Sequence, residues 1–444
     1  MRIKIKEKEL FSKIINKKFG LKINSSKIES ICTDSRLLKK NDIYIPIKGA
    51  KYDGHDFITK DLKNKSLITF SERSNIDETI YVNSTKILLK ELSQKWLDNF
   101  KKPIIALTGS NGKTSTKEIL KNIFELKNRV NCTIGNYNST IGLPMNLFNF
   151  TLDSYPQIIE MGANQKNEIN YLCQIAKPDY SLITNIQNAH IGNFKSINDL
   201  IETKTSIFRN TNDNGYIFEN NDDIQIAEYC KNINNKIQFG FKNTKLDFFG
   251  EYKVESNIPS FHINGKKIFN EDLNSIMAKN MLSAYSIASV YGISDTIITE
   301  ALANFKFPKG RGNKVFKNGY CIIDDTYNAN LDSFKIGIDN FLMNETNGKK
   351  FIIIGDMKEL GDKSFAHHIE LGEFIAKKNI DYVLGCGNEI ENTINAISND
   401  TIFTKIFKNC EEIIDFLKKQ ICKGDFLYFK ASRSLKFENI IKEL

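Results

Sequence analysis

Apolar positions fall into short unbroken runs separated by stretches with helical spacing, the pattern of buried parallel strands alternating with amphipathic helices. The runs include Ile104-Ile105-Ala106-Leu107, Gln157 to Gly162, Tyr180 to Asn185, Cys321 to Asp325, Phe351 to Ile354, Tyr382 to Leu384 and Phe426 to Phe429. Helical spacing marks Lys86 to Phe100, the set Ile119, Leu120, Ile123, Phe124 and Leu126, the stretch after Ser196 carrying Leu200, Ile201 and Phe208, and Met277 to Val290. Short β-like runs fill the chain before Asn83, and alternating short strands are expected from Gly215 to Pro259. The reading is α/β throughout, in three domains: 1–84, 85–308 with a mostly parallel sheet, and a doubly wound 309–444.

One junction carries explicit chemistry. The run ending at Leu107 passes into Thr108-Gly109-Ser110-Asn111-Gly112-Lys113-Thr114-Ser115 and then into a helix. Glycines there let backbone N–H groups turn onto phosphate oxygens at the positive end of a helix dipole. Lys113 can reach the terminal phosphates and Thr114 can ligate Mg²⁺. The spacing is T-G-x-x-G-K-T rather than G-x-x-x-x-G-K-S/T, which would require Gly at Leu107.

Other positions are ambiguous when taken singly. Glu160 ends an apolar strand, where it can hold a metal or merely reach solvent. His190 follows another strand end, although a lone histidine is more often a packing or surface residue. Lys204 lies on a helical stretch in a chain with 62 Lys and Arg, and on its own is an ordinary surface lysine. The polar loop Gly135 to Pro144, with Asn138, is a candidate substrate loop. Asp34-Ser35-Arg36 has the chemistry of an anion-binding turn, and equally of a polar turn between strands.

Composition narrows the class only a little. The 444 residues are 41% hydrophobic and 26% charged, a globular balance. The start, MRIKIKEKELFSKII, has charges through its apolar positions, and no stretch approaches the ~18 apolar residues of a membrane span. Eight scattered Cys without a C-x-x-C pair argue against a zinc site or a disulfide framework. A cytoplasmic protein without membrane insertion is expected. The net charge of +9 comes from lysines spread along the chain, not from a basic block, so nucleic acid is not an expected partner.

Taken together, these motifs resemble the Mur ligase family over nearly the full length. They occur in family order: Thr33 to Arg36, the shortened phosphate loop, Glu160-Met161-Gly162, His190, Lys204, Asp324 to Asn330 and Gly355 to Gly361. The loop Asp324-Asp325-Thr326-Tyr327-Asn328-Ala329-Asn330 resembles the branch that adds D-alanyl-D-alanine, and no D-N-P-R signature of the diaminopimelate-adding branch is present. The resemblance implies a substrate-binding N-terminal domain, a P-loop ATPase-like central domain and a Rossmann-like C-terminal domain. It implies an ATP-dependent, ADP-forming amide ligase of peptidoglycan synthesis, acting as a monomer on UDP-N-acetylmuramoyl-tripeptide and D-alanyl-D-alanine through an acyl phosphate.

By the same resemblance, Thr108 to Ser115, Asn280, Arg311 and Asp325 would bind ATP. Thr114 and Glu160 would hold one Mg²⁺, and His190 with a carbamylated Lys204 a second; Lys113, Glu160, His190 and Lys204 would form the catalytic set. Asp34, Ser35, Arg36, Lys48, Gly49, Asn138 and Asn328 would contact substrate. Four positions depart from the family pattern: Leu331 in place of Pro, Lys279 in place of His, Ser283 in place of Asn, and Ala431 in place of Gly. Two other readings stand beside this one, a sister ligase such as a folylpolyglutamate synthase and a nucleotide-dependent switch. The distal residues His190 and Lys204 and the third domain weigh against a switch.

Overall fold

The computed structural model describes residues 1–187, 191–255 and 258–444. Among these residues the strands form three sheets, of five, nine and six strands. The first joins Arg2–Lys4, Ser30–Cys32, Asp42–Tyr44, Ser66–Ser71 and Ile80–Tyr81 in chain order; only the first pair is antiparallel. Helix Thr85–Leu97 then carries the chain to the second sheet, ending three residues before the expected Phe100.

That helix is a packed joint and not a loose linker. Trp96 is fully buried and donates its indole N–H to the Leu147 carbonyl at 2.8 Å. Its ring meets Phe148 edge-on, and Phe148 meets Phe11 of the N-terminal helix Lys8–Phe19 the same way. Burying three aromatic rings at one junction ties the first sheet to the second through a common core.

The second sheet runs Lys266–Ile268, Ile258–Ile263, Phe248–Glu255, Lys236–Gly240, Tyr216–Asn220, Tyr180–Ile183, Ile104–Thr108, Gln157–Glu160 and Asn131–Cys132. It is parallel except where Ile258–Ile263 pairs with its two neighbours. Ile104–Thr108 lies between Gln157–Glu160 and Tyr180–Ile183, with Leu107 level with both Glu160 and Leu182. Every residue of Ile104–Thr108 is buried, as expected of a strand covered on both faces. Helix Lys113–Glu125 packs with Ser275–Tyr291 on one face, while Leu200, Ile207 and Phe208 of helix Ile197–Arg209 join the core on the other.

The third sheet runs Asn313–Lys317, Tyr320–Asp324, Phe426–Lys430, Lys350–Gly355, Tyr382–Cys386 and Phe403–Phe407, parallel apart from its first pair. Apolar cores lie on both faces.

The structure corrects or completes the expected local elements at three places. The region after Gly215 contains the helix Ile224–Cys230, not strands alone. Asp223 caps it by accepting N–H bonds from Gln225 and Ile226, and Ile226 and Cys230 reach the core one turn apart. The strand Phe403–Phe407 lies outside the apolar runs, since an edge strand with one half-polar face carries only a weak apolar signal. Leu331, which stands in place of the family's Pro, fits its position. It opens helix Leu331–Leu342, at the position where Pro is also tolerated, and Asn330 with Ser333 forms a capping box there. No helix among the described residues is long and apolar enough to cross a membrane.

Candidate functional site

The loop after Ile104–Thr108 takes its shape from two glycines. Gly112 has φ +81°, and a Cβ there would lie 2.5 Å from Asn280 Oδ1. Gly109 has φ +148°, and a side chain there would collide with the Thr184 hydroxyl. The residues after the neighbouring strand hold the loop from outside. Thr184 Oγ1 and Asn185 Nδ2 donate to the Asn111 carbonyl at 2.6 and 3.0 Å, Ser110 N–H donates to the Asn185 carbonyl at 2.9 Å, and Ser110 Oγ donates to the Gln187 carbonyl at 2.8 Å. The first intrahelical bond of Lys113–Glu125 is Thr116 N–H to the Gly112 carbonyl at 2.9 Å, so the N–H groups before it face out of the helix end.

Lys113 curls over this loop, its ammonium donating to the carbonyls of Gly109 at 2.6 Å and Ser110 at 3.1 Å. Burial lowers its pKa, Glu160 opposes the shift, and Arg311 adds to it. Thr114 Oγ1 donates to Glu160 Oε1 at 3.2 Å and receives Arg311 Nη2 at 3.0 Å. Asn138 Nδ2 donates to the same Glu160 oxygen at 2.7 Å. The other oxygen, Oε2, is buried with no hydrogen-bond partner; the nearest cation is the buried Lys117 ammonium at 3.7 Å. An orphaned carboxylate oxygen beside a threonine hydroxyl and a phosphate-type loop is a donor set that suits Mg²⁺, which takes one or two carboxylates and completes its shell with phosphates and water. No cluster of three His, Cys, Asp or Glu side chains suited to a metal occurs among the described residues.

Lys204, on helix Ile197–Arg209, is 2% exposed. Burial, and after it the charge of Lys113, pushes its amine well below the ordinary value. No carboxylate among the described residues lies within ion-pair distance of it. His190, its expected companion, lies outside the described residues.

The third sheet contributes from across the cleft. Arg311 stacks on Tyr327 with its guanidinium carbon 3.9 Å from the ring centroid, which aims the fork at Thr114. Asn330 Nδ2 donates to Asn111 Oδ1 at 2.8 Å. Asp325 accepts from Lys430 at 2.6 Å and from the buried Tyr428 hydroxyl at 2.9 Å. A cavity of about 570 Å³ runs between these groups and is lined by Asn111, Ser115, Asn280, Arg311, Asp325 and Asn328 among others. Lys279 and Ser283, two of the departures from the family pattern, line it as well. Asn280 Oδ1 accepts from Thr116 Oγ1 at 3.4 Å, while its buried Nδ2 has no partner.

The N-terminal candidates lie apart; none of them lines this cavity. Asp34 accepts two bonds from the Arg36 guanidinium, at 2.9 and 2.7 Å, which hold its carboxyl down at about 2. The Arg36 side chain is 84% exposed. Lys48 and Gly49 sit on an exposed turn closed by Gly49 N–H to the Tyr52 carbonyl at 2.9 Å. Thr184, Asn185, Gln187, Lys117, Tyr327 and Asn330 were not singled out as site residues. The available signal for the first three was their place just past the end of a parallel strand next to the phosphate loop.

Comparison with known proteins places the chain. The Mur ligase middle domain matches residues 107–288, and the Mur ligase glutamate ligase domain matches residues 310–433. The UDP-N-acetylmuramoyl-tripeptide–D-alanyl-D-alanine ligase of Haemophilus influenzae is 32% identical over 435 residues, covering 94% of this chain and 93% of its own. The ligase of the same name from Bacillus subtilis is 30% identical over 437 residues, with the same two coverages. The structure is similar to that of MurF from Acinetobacter baumannii (TM-score 0.84, 27% identity, 93% and 92% of the two chains). It is also similar to MurF from Thermotoga maritima in complex with ADP (TM-score 0.82, 30% identity, 93% and 96%).

Proposed function

The chain belongs to the Mur ligase family, and from that membership we infer that it is an ATP-dependent, ADP-forming ligase joining D-alanyl-D-alanine to UDP-N-acetylmuramoyl-tripeptide in peptidoglycan synthesis. The observation that carries the reading is the Lys113–Thr114–Glu160 constellation on the phosphate loop, met by Arg311 from the C-terminal sheet.

Carboxylates are poor electrophiles, so the tripeptide carboxylate must first be activated. Transfer of a phosphoryl group to it makes an acyl phosphate, and the dipeptide amine then displaces phosphate. Lys113 and Arg311 place two cations where phosphoryl oxygens would otherwise repel an incoming carboxylate. The loop N–H groups orient the phosphates, and Asn138 with Thr114 fixes the Glu160 carboxylate. Thr114 and Glu160 would hold Mg²⁺, which when bound supplies further neutralisation of phosphate charge. A second ion is proposed at His190 and Lys204. Burial away from any described carboxylate disfavours the charged form of the Lys204 amine, and a neutral amine can capture CO₂, forming an N–C bond and losing a proton to leave an anionic oxygen ligand. Asp34, Ser35, Arg36, Lys48 and Gly49 are proposed to receive the uridine nucleotide, and Asn280 and Asp325 the ATP.

The test is ADP release with ATP, Mg²⁺ and D-alanyl-D-alanine, supplying the UDP-muramoyl tripeptide in its lysine and diaminopimelate forms. Turnover that requires both tripeptide and dipeptide is expected. Turnover with single amino acids instead would move the chain to a sister activity, and ATP binding without turnover in any pairing would refute the ligase reading.

A further inference from the structure

The stretch Gly355 to Gly361 meets the central domain at one bare point. Gly192, in the turn Ile191–Asn193, lies against the backbone of Leu360 and Gly361. A Cβ on Gly192 would collide with the Leu360 carbonyl group and the Gly361 amide nitrogen, and one on Gly361 would lie 3.2 Å from Gly192 Cα. The obstacle is backbone, and that backbone is held in place. Met357 N–H donates to the buried His368 ring at 3.1 Å, Lys358 N–H donates to Ser432 Oγ at 2.9 Å, and Leu360 is 2% exposed. The two glycines differ in one respect. Gly361 has φ +55°, whereas Gly192 is not among the glycines with positive φ, so its own backbone accepts a side chain without strain.

We propose that Gly192 and Gly361 form a side-chain-free seat on which the C-terminal domain rests when the cleft closes, making Gly192 a positioning residue for ligation. It acts through distance: the two backbones touch in the same arrangement in which Arg311 and Asn330 reach Thr114 and Asn111. A methyl group at Gly192 leaves the separate domains intact and holds them apart by roughly 1 Å, a displacement that can cost about 10²-fold in rate. The inference rests on the ligase reading given above.

The experiment compares Gly192→Ala and Gly192→Val with the unmodified full-length protein in the ligation assay, alongside ADP affinity, thermal midpoint and small-angle scattering with and without ADP. Expected is a fall in kcat of about 10²-fold for Ala and more for Val, with KM for ATP, ADP affinity and thermal midpoint unchanged and a larger scattering radius in the nucleotide-bound state. Unchanged kcat in both variants, with the parent active, would overturn the proposal. So would a parallel loss of ADP affinity and thermal midpoint, which would mark a local folding role. If the parent itself fails to ligate, the ligase reading falls; the scattering comparison still decides whether Gly192 limits closure.

Discussion

The phosphate loop and the Asp34-Ser35-Arg36 turn are both expected to bind anions, yet they are built in opposite ways. Around the loop the charged groups are buried or half-buried and interlocked. Lys113 is turned onto the carbonyls of Gly109 and Ser110, Glu160 keeps one oxygen orphaned, and Arg311 arrives from another domain. At the turn the guanidinium is exposed and paired with its own neighbour, Asp34. Buried charges interact strongly because little water screens them, and their positions are already fixed before substrate arrives. An exposed, self-paired arginine must exchange Asp34 and water for its ligand, so it contributes less and mostly to binding.

Three substitutions can break or sharpen that contrast. Lys113→Met should have the largest effect, a loss of kcat of about 10³-fold, since it removes the half-buried cation of the phosphate loop; steady-state ligation measures it. Glu160→Gln keeps the size and the Asn138 contact but removes the charge, and should lower turnover about 10²-fold while raising the Mg²⁺ concentration needed for half-maximal rate. A Mg²⁺ titration that does not move would remove Glu160 from the metal site. Arg36→Ala should raise KM for the uridine nucleotide about tenfold with kcat and thermal midpoint nearly unchanged; a fall in kcat alone would place the turn in the chemistry.

The smallest effect belongs to a buried group outside the cleft. His368 donates Nδ1–H to the Ser364 carbonyl at 2.8 Å and accepts Met357 N–H at Nε2, and burial holds its pKa below the ordinary 6.5. The unfolded chain therefore takes up this proton first. The stability it contributes is full above pH 6.5 and is lost as pH falls through the lowered folded value. The thermal midpoint should decline as pH falls below 6.5, and less steeply in His368→Gln. Equal slopes in the two proteins would refute this.

Much of the fold could be read from the chain because strands covered on both faces show as continuous apolar runs, as Ile104–Thr108 and Lys350–Gly355 do. Edge strands and short capped helices could not, as Phe403–Phe407 and Ile224–Cys230 show. Ala431 looked like a defect in the family pattern; in the structure it is fully buried opposite Gly355, where a Cβ would lie 2.9 Å from its own. The missing side chain at Gly355 makes room for the added one.

The phosphate loop was legible because its requirements are local: glycines for φ above zero, a lysine and a hydroxyl in register, and a helix directly after. The support of the loop by Thr184 and Asn185, the bond from Asn138 to Glu160, the approach of Arg311 to Thr114 and the contact of Gly192 with Gly361 are of another kind. They join residues separated by tens to hundreds of positions. No spacing rule encodes such a pairing, because it arises when strand order and domain closure bring distant chain segments within hydrogen-bond reach.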